Sequence, residues 1–435
     1  MSKKIDVKNV LLYIVKAVVV WICLMALTLG FMTLSKAIPK DSAMGARIMA
    51  NAESSLGSYV EDLESPIFHE SKWYQHQIND DMMFVNVAIT ETDYSPFKEV
   101  VGIFMHSVEG DDKEGGINSL VSAIYYNDDY SNLITYSRFY MLTVFILRVL
   151  LIFFDIQKIR FILYYTAVTL AICITCKLYS LYKWKGVLPF VTACALRLVV
   201  LQSFTFATFY DMVCGLFWSL FILLFYEKKF FKDNELIIFG VIGMYAYINC
   251  VFYAPMFTLG MPLVTSILVK DYSDKRLSDW LNIFFDSVSW VIGYASALFF
   301  KQILCLAVFG GQTASEELKY MMGLDMTLSE RLEMIGYNYL GLLEPLGVKI
   351  PILLIILIVL LVQAIKNGVS YYKSTFQLLV LALYPVVWIT IICRHSLHNF
   401  VSNITAITVY ALLSLFTLSI KEKDSLTGIN TDKAV

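Results

Sequence analysis

The sequence predicts an all-α polytopic membrane protein of about ten transmembrane helices with a large first outer loop of juxtamembrane helices. Three observations carry that reading. Of 435 residues, 58% are hydrophobic and only 16% charged, against about 25% charged in an ordinary soluble chain, and each charge set in hydrocarbon is costly. Ten hydrophobic stretches follow one another along the chain, and a single long polar insert separates the first from the rest. From Lys36 to Asp129 that insert holds six Lys or Arg against seventeen Asp or Glu.

The elements follow in order. Lys3, Lys4 and Lys8 precede an apolar run over 10–34, longer than the roughly 7–15-residue core of a cleavable signal. Residues 1–34 are therefore expected to form a retained N-terminal anchor helix. Residues 35–138 form the outer loop, 139–154 an interfacial or re-entrant helix, 155–420 the transmembrane bundle and 421–435 a cytoplasmic tail. Within the bundle, hydropathy places crossings near 161–181, 187–204, 210–226, 236–254, 256–269, 283–303, 348–365, 375–393 and 399–420. The 256–269 run is short for a span, and Pro255 and Pro262 predict a kinked or partly sunk helix there.

Loop charge decides the status of 139–154. If it does not cross, Lys177/Lys183/Lys185, Lys228/Lys229/Lys232, Lys270/Lys275/Arg276, Lys366/Lys373 and Lys421/Lys423/Lys433 fall on the same side as the N-terminal lysines. The positive-inside rule makes that side cytoplasmic, with both termini inside a plasma membrane. The five histidines and the acidic loop at 305–347 then lie outside.

In the insert, Ala43, Ile48, Met49 and Leu56 recur at helical spacing, as in a helix lying at the interface. Tyr125, Tyr126, Tyr130, Tyr136 and Tyr140 are expected to form an aromatic belt at the headgroups. A net charge of −2 gives no reason to expect a nucleic-acid partner. No GxGxxG follows a strand and no P-loop is present. The eight cysteines lie in or beside apolar runs and show no disulfide framework. Cys173 and Cys176 form a CxxC inside a hydrophobic helix, where packing is the expected role.

Three constellations are candidates for chemistry. Asp80 and Asp81 are adjacent carboxylates before the apolar run MMFVNVAI, suited to a general base or to a divalent cation. A helix N-terminus is the structural alternative for them, and Asp41, seven residues past the first helix, is the rival base. RHSLHN at 394–399 sets Arg394 beside His395 and His398, which share a face if helical. A guanidinium with two imidazoles suits a phosphate, whereas zinc lacks a third ligand at standard spacing. Finally, Arg148, Arg197, Asp286 and Lys301 stand in or at the edge of apolar runs. Arg197 is expected to pair with Asp211 or Asp286, Arg138 or Arg148 to meet a phosphate, and Lys301 to snorkel.

The stretch SRFYMLTVFILRVLLIFFDIQKIRFILYYTA at 137–167 resembles the interfacial helix and Arg-started crossing of the GT-C class of membrane glycosyltransferases. The layout over 10–310 is similar to that class as well. Ser137-Arg138-Phe139-Tyr140 stands where the class usually has a His-Pro-Pro-Leu-like signature. The resemblance implies a sugar moved from a polyprenyl-phosphate carrier to a cell-surface glycan or lipid acceptor at the outer face. It implies Asp81, Asp80 or Asp41 as base, with Arg138, Arg394, His395 and His398 on the phosphate. A flippase, transporter or polymerase of lipid-linked polysaccharide precursors is the alternative. The absence of a sequence repeat between the halves weighs against the carrier.

Overall fold

The computed structural model describes residues 7–49, 81–108, 117–125, 132–137, 139–196, 203–249, 255–270, 277–310, 322–343, 376–393 and 406–415, with the single positions Ile358 and Val362. These are mostly helical. Helix α1 (Val7–Lys36) leads into a set of short elements: α2 (Ser42–Met49), α3 (81–89), α4 (Pro96–Gly102), β1 (Phe104–Ser107), α5 (Ile117–Tyr125), β2 (Asn132–Thr135) and α6 (Leu142–Leu151). The bundle follows as α7 (Ile156–Tyr182), α8 (Trp184–Leu196), α9 (Phe206–Phe225), α10 (Lys229–Asn249), α11 (Pro255–Lys270) and α12 (Leu277–Phe309). Further on come α13 (Leu328–Leu343), α14 (Phe376–Ala382), α15 (Tyr384–Ile391) and α16 (Ala406–Leu415). Among the described residues, four segments are long and apolar enough to cross a membrane: Leu11–Lys36, Ile156–Tyr182, Thr208–Phe225 and Asn282–Phe309.

The expectation of helix alone is corrected in one place. β1 and β2 pair antiparallel, Phe104 opposite Thr135 and Ser107 opposite Asn132. The Tyr136 N–H extends the pairing to the Ile103 carbonyl at 2.7 Å. Ile103 takes φ 51°, a left-handed geometry unfavourable for a β-branched residue, and there the chain turns from α4 into the strand.

Contacts distinguish the two ends of the bundle. At one end, α2–α6 and the hairpin form a cap. Ser35 Oγ near the end of α1 donates to the Phe145 carbonyl of α6 at 2.9 Å. The start of α7 and the start of α9 both meet α3. At the other end, Lys16 Nζ of α1 donates to Asn234 of α10 at 2.6 Å, the Tyr182 hydroxyl to the Leu268 carbonyl at 2.5 Å, and Lys270 pairs with Glu235. Thus α1 ends at the cap and α7 starts there. Helix α6, ten residues or about 15 Å long, covers half of a hydrocarbon core of about 30 Å.

Helix α11 departs from the expectation for 256–269. Every residue from Pro255 to Val269 is buried, so the run forms the interior of the bundle. It packs chiefly on α9, and Pro255 occupies the first helical position, where a missing N–H is harmless. Gly215 admits the Phe257 ring and Gly260 the Ile407 side chain. The Tyr belt is likewise corrected. Tyr140 is buried, edge-to-face with Tyr247 at 6.1 Å. Tyr136 is half-buried, and the structural roles of Tyr125, Tyr126 and Tyr130 lie outside what is described. Cys173 and Cys176 are exposed on α7 rather than packed.

The closest helix pair is α10 with α12. A Cβ on Gly243 would overlap the Trp290 carbonyl, and one on Gly293 the Gly240 carbonyl. Backbone therefore meets backbone with no room for a methyl group. Gly243→Ala should cost about 1–3 kcal/mol through overpacking, read as a lower apparent melting temperature in detergent. Gly30→Ala, whose Cβ meets nothing within 4 Å, should be neutral or stabilising.

Candidate functional site

The polar groups of the cap sit at its junction with the bundle, and most are engaged with backbone. The last carbonyls of a helix have no partner within it. In a buried helix of seven to ten residues water does not reach them. Here cations do. Lys36 Nζ donates to the Val87 and Thr90 carbonyls at 3.1 and 2.6 Å, and Arg148 Nη1 to Ala88 at 2.6 Å, which closes the end of α3. Lys301 Nζ donates to Val100 and Val101 of α4 at 3.3 and 2.9 Å. Lys40 Nζ donates to Ala123 of α5 at 2.8 Å, and Arg47 Nη1 to Leu151 of α6 at 3.0 Å. Positive charge is favourable at each of these negative helix ends.

Arg148 is the most connected of them. Its Nε and Nη2 also reach the Ile38 carbonyl at 3.2 and 2.5 Å, and Nη2 pairs with Glu91 at 2.7 Å. It is fully buried, so the expectation that it meets a phosphate is corrected: its fork holds the turn after α1 against α3. Lys301 does not snorkel either, being wholly buried. Glu99 lies 3.6 Å from Lys36 and accepts from the Thr92 N–H and hydroxyl at 2.7 and 2.8 Å. Burial lowers the Lys40 pKa from its ordinary value, opposed by Glu91 and reinforced by Arg148.

Asp81 begins α3 and is wholly buried. One carboxylate oxygen pairs with Arg160 of α7 at 2.7 Å, and the other accepts the Phe206 N–H that opens α9 at 2.7 Å. Thr205, the natural capping residue there, makes no capping bond of its own, so Asp81 supplies the negative end that this helix favours. With both oxygens bound and the carboxylate buried, Asp81 ties α3 to α7 and α9.

Asp41 is exposed. One oxygen accepts from the Met44 N–H at 2.6 Å and caps α2, and its backbone carbonyl accepts from Met44 and Gly45 at 3.2 and 3.5 Å. The carboxylate is thus fixed in position yet open to solvent, beside half-buried Lys40 and Arg47. Asp80, Arg138, Arg394, His395 and His398 lie outside the described residues. The chain does bring two of their neighbours to the cap side. Ser137 precedes Arg138 and lines a cavity there. Ile392, shortly before Arg394, is buried in the hydrophobic cluster of the cap.

Among the described residues no group of three or more His, Cys, Asp or Glu is gathered. Asp286 is buried within α12, its Oδ2 without a hydrogen bond, in electrostatic reach of Lys270, Tyr13 and Tyr384. Arg197, its expected partner, is outside the described residues. Sequence reasoning missed the capping roles of Lys36, Lys40 and Arg47. The available signal was a basic residue on either side of a junction between short apolar segments.

In comparison with known proteins, no family model matches the chain, and no curated protein or solved structure is significantly similar to it.

Replacing Asp81 leaves the Arg160 guanidinium buried and uncompensated. Asp81→Asn should destabilise by about 3–5 kcal/mol. In a double-mutant cycle the loss should shrink when Arg160→Met is present, which equilibrium unfolding in mild detergent would measure. Additive losses would refute the pairing.

Proposed function

We propose that the protein is a multi-pass plasma-membrane glycosyltransferase of GT-C type, with ten crossings and both termini in the cytoplasm. It transfers a sugar from a polyprenyl-phosphate carrier to a glycan or lipid acceptor at the outer face. One observation supports this above the others: Asp41 is an exposed carboxylate held by a helix N-terminus, at the end of the bundle that carries the cap.

In this reading Asp41 takes the proton of an acceptor hydroxyl. The oxygen attacks the anomeric carbon, the bond from that carbon to the phosphate oxygen breaks, and the electron pair leaves on polyprenyl phosphate. Phosphate departs readily, so the site needs positive charge to hold it more than it needs a general acid. Arg138, Arg394, His395 and His398 are the proposed donors. Asp80 remains a rival base, whereas Asp81 acts through the fold. A transfer site at the outer face, remote from cytosolic nucleotide sugars, fits a lipid-linked donor.

Asp41→Asn tests the base cleanly, because Asn caps a helix as well as Asp does. The kcat for outward transfer from polyprenyl-phosphate donors should fall about 10²–10⁴-fold, with the melting temperature unchanged. Full activity would remove Asp41, and wild-type protein that transfers from no donor would remove the transferase reading.

A second reading, a carrier of lipid-linked precursors, is favoured by Asp286, since an ionisable group buried inside a span is a functional candidate and transport paths are one such use. Asp286→Asn should leave sugar transfer intact. If it instead abolishes gradient-driven flux of a lipid-linked precursor in vesicles, the carrier reading replaces the transferase.

A further inference from the structure

The buried cations at the junction are neutralised, with one exception. Lys36 has Glu99 at 3.6 Å, Arg148 has Glu91 at 2.7 Å and Arg160 has Asp81 at 2.7 Å. Lys301 is equally buried, yet among the described residues no carboxylate stands against it. Its ammonium donates to the two α4 carbonyls and lies 4.7 Å from the Tyr140 ring centroid. Dipoles and a ring face stabilise a cation without cancelling its charge, and a buried charge without a counterion is costly.

Beside it is a cavity of about 280 Å³ lined by Thr135, Ser137, Cys305 and Phe309, where a single water needs about 10–15 Å³. Cys305 lies one helical turn beyond Lys301. Its thiol donates to the Ser137 carbonyl at 3.2 Å and approaches the Val101 carbonyl at 3.8 Å, the same oxygen that Lys301 holds. A second ammonium stands nearby, since Lys98 Nζ lies 5.4 Å from the Phe309 ring centroid and 3.8 Å from that of Tyr94. Lys98 is half-buried and has no carboxylate partner among the described residues. Among the described residues no acid lines the cavity.

We propose that this cavity is an oxyanion subsite that takes a phosphoryl group. Lys301 supplies charge from behind the wall and Lys98 from the Phe309 side. Two ammoniums match the charge of a phosphate monoester, about −1.5 to −2 at neutral pH, and Thr135 and Ser137 bring hydroxyls. A cation would meet like charge, and a wholly apolar guest would leave Lys301 without a counterion. The assignment goes beyond the transfer reading and does not depend on it.

Cys305 reports the charge of the cavity directly. The full-length protein in vesicles is treated with 2-sulfonatoethyl or 2-ammonioethyl methanethiosulfonate, reagents of similar size and opposite charge. Modification of Cys305 is followed by peptide mass. The anionic reagent should react about tenfold faster or more, as two nearby unit charges in a poorly solvated wall require. Lys301→Met should abolish the preference. Should that variant fail to fold, Lys98→Gln, which breaks no buried contact, should weaken it.

Inorganic phosphate and a prenyl monophosphate are then added separately. Protection by both marks a site for the free group, and protection by the prenyl compound alone marks a lipid-borne one. Equal or faster reaction of the cationic reagent, or protection by neither phosphate, overturns the proposal. Because sugar transfer is not the readout, either result leaves the transferase reading to its own test.

Discussion

A helix of seven to ten residues exposes almost as many unpaired backbone groups at its ends as it pairs within, and at a buried junction those groups have no water to turn to. The cap is built from such helices, and five basic side chains bonded to their final carbonyls make it possible. Lys36 and Arg148 close α3, Lys301 closes α4, Lys40 closes α5 and Arg47 closes α6. These cations come from other elements: α1, the turn after it, α2, α6 and α12. Each capping bond is therefore also a tertiary bond, and the short helices are fixed in place by the same contacts that allow them to exist.

The anionic counterpart completes the arrangement. Asp81 at the start of α3 accepts from the first N–H of α9 and pairs with Arg160 of α7. One short helix thus joins four long or interfacial ones, with cations at its C-terminal end and a carboxylate at its N-terminal end. Those polarities agree with its dipole and with that of α9. The rest of the bundle relies on steric fit instead: buried α11 forms its interior, and α10 crosses α12 at Gly240, Gly243 and Gly293 with backbone in contact. Polar satisfaction dominates at the cap end, and close packing dominates below it.

Much of this was legible at the level of class. Low charge, long apolar runs and one acidic insert led to a helical membrane protein, and loop charge treated 139–154 differently from the crossings. Particular residues were harder. MMFVNVAI after Asp81 read as an apolar patch behind two acids, because one strand of sequence does not show Arg160 or Phe206 arriving from more than seventy residues away. Arg148 and Lys301 read as free cations for the same reason, their carbonyl partners being backbone and invisible to residue type. The 256–269 run seemed too short to span, since hydropathy does not separate a helix buried in protein from one facing lipid. The hairpin was missed because FMHS and NLIT are four-residue strands, shorter than periodicity resolves.

The same inventory separates structural charge from charge available to a ligand. A buried ion whose hydrogen-bonding capacity and charge are both met inside the protein has nothing left to offer a substrate, and Asp81, Arg148, Glu99 and Lys36 are of that kind. Two kinds remain. Asp41 has spare acceptor capacity because one oxygen caps α2 while the side chain stays in solvent. Lys301 has met hydrogen bonds but no carboxylate against it among the described residues, and the same holds of Lys98, 5.4 Å from the ring centroid of Phe309, which lines the adjacent cavity. A carboxylate open at the surface and ammoniums uncancelled at a cavity are opposite deficits at the same end of the bundle.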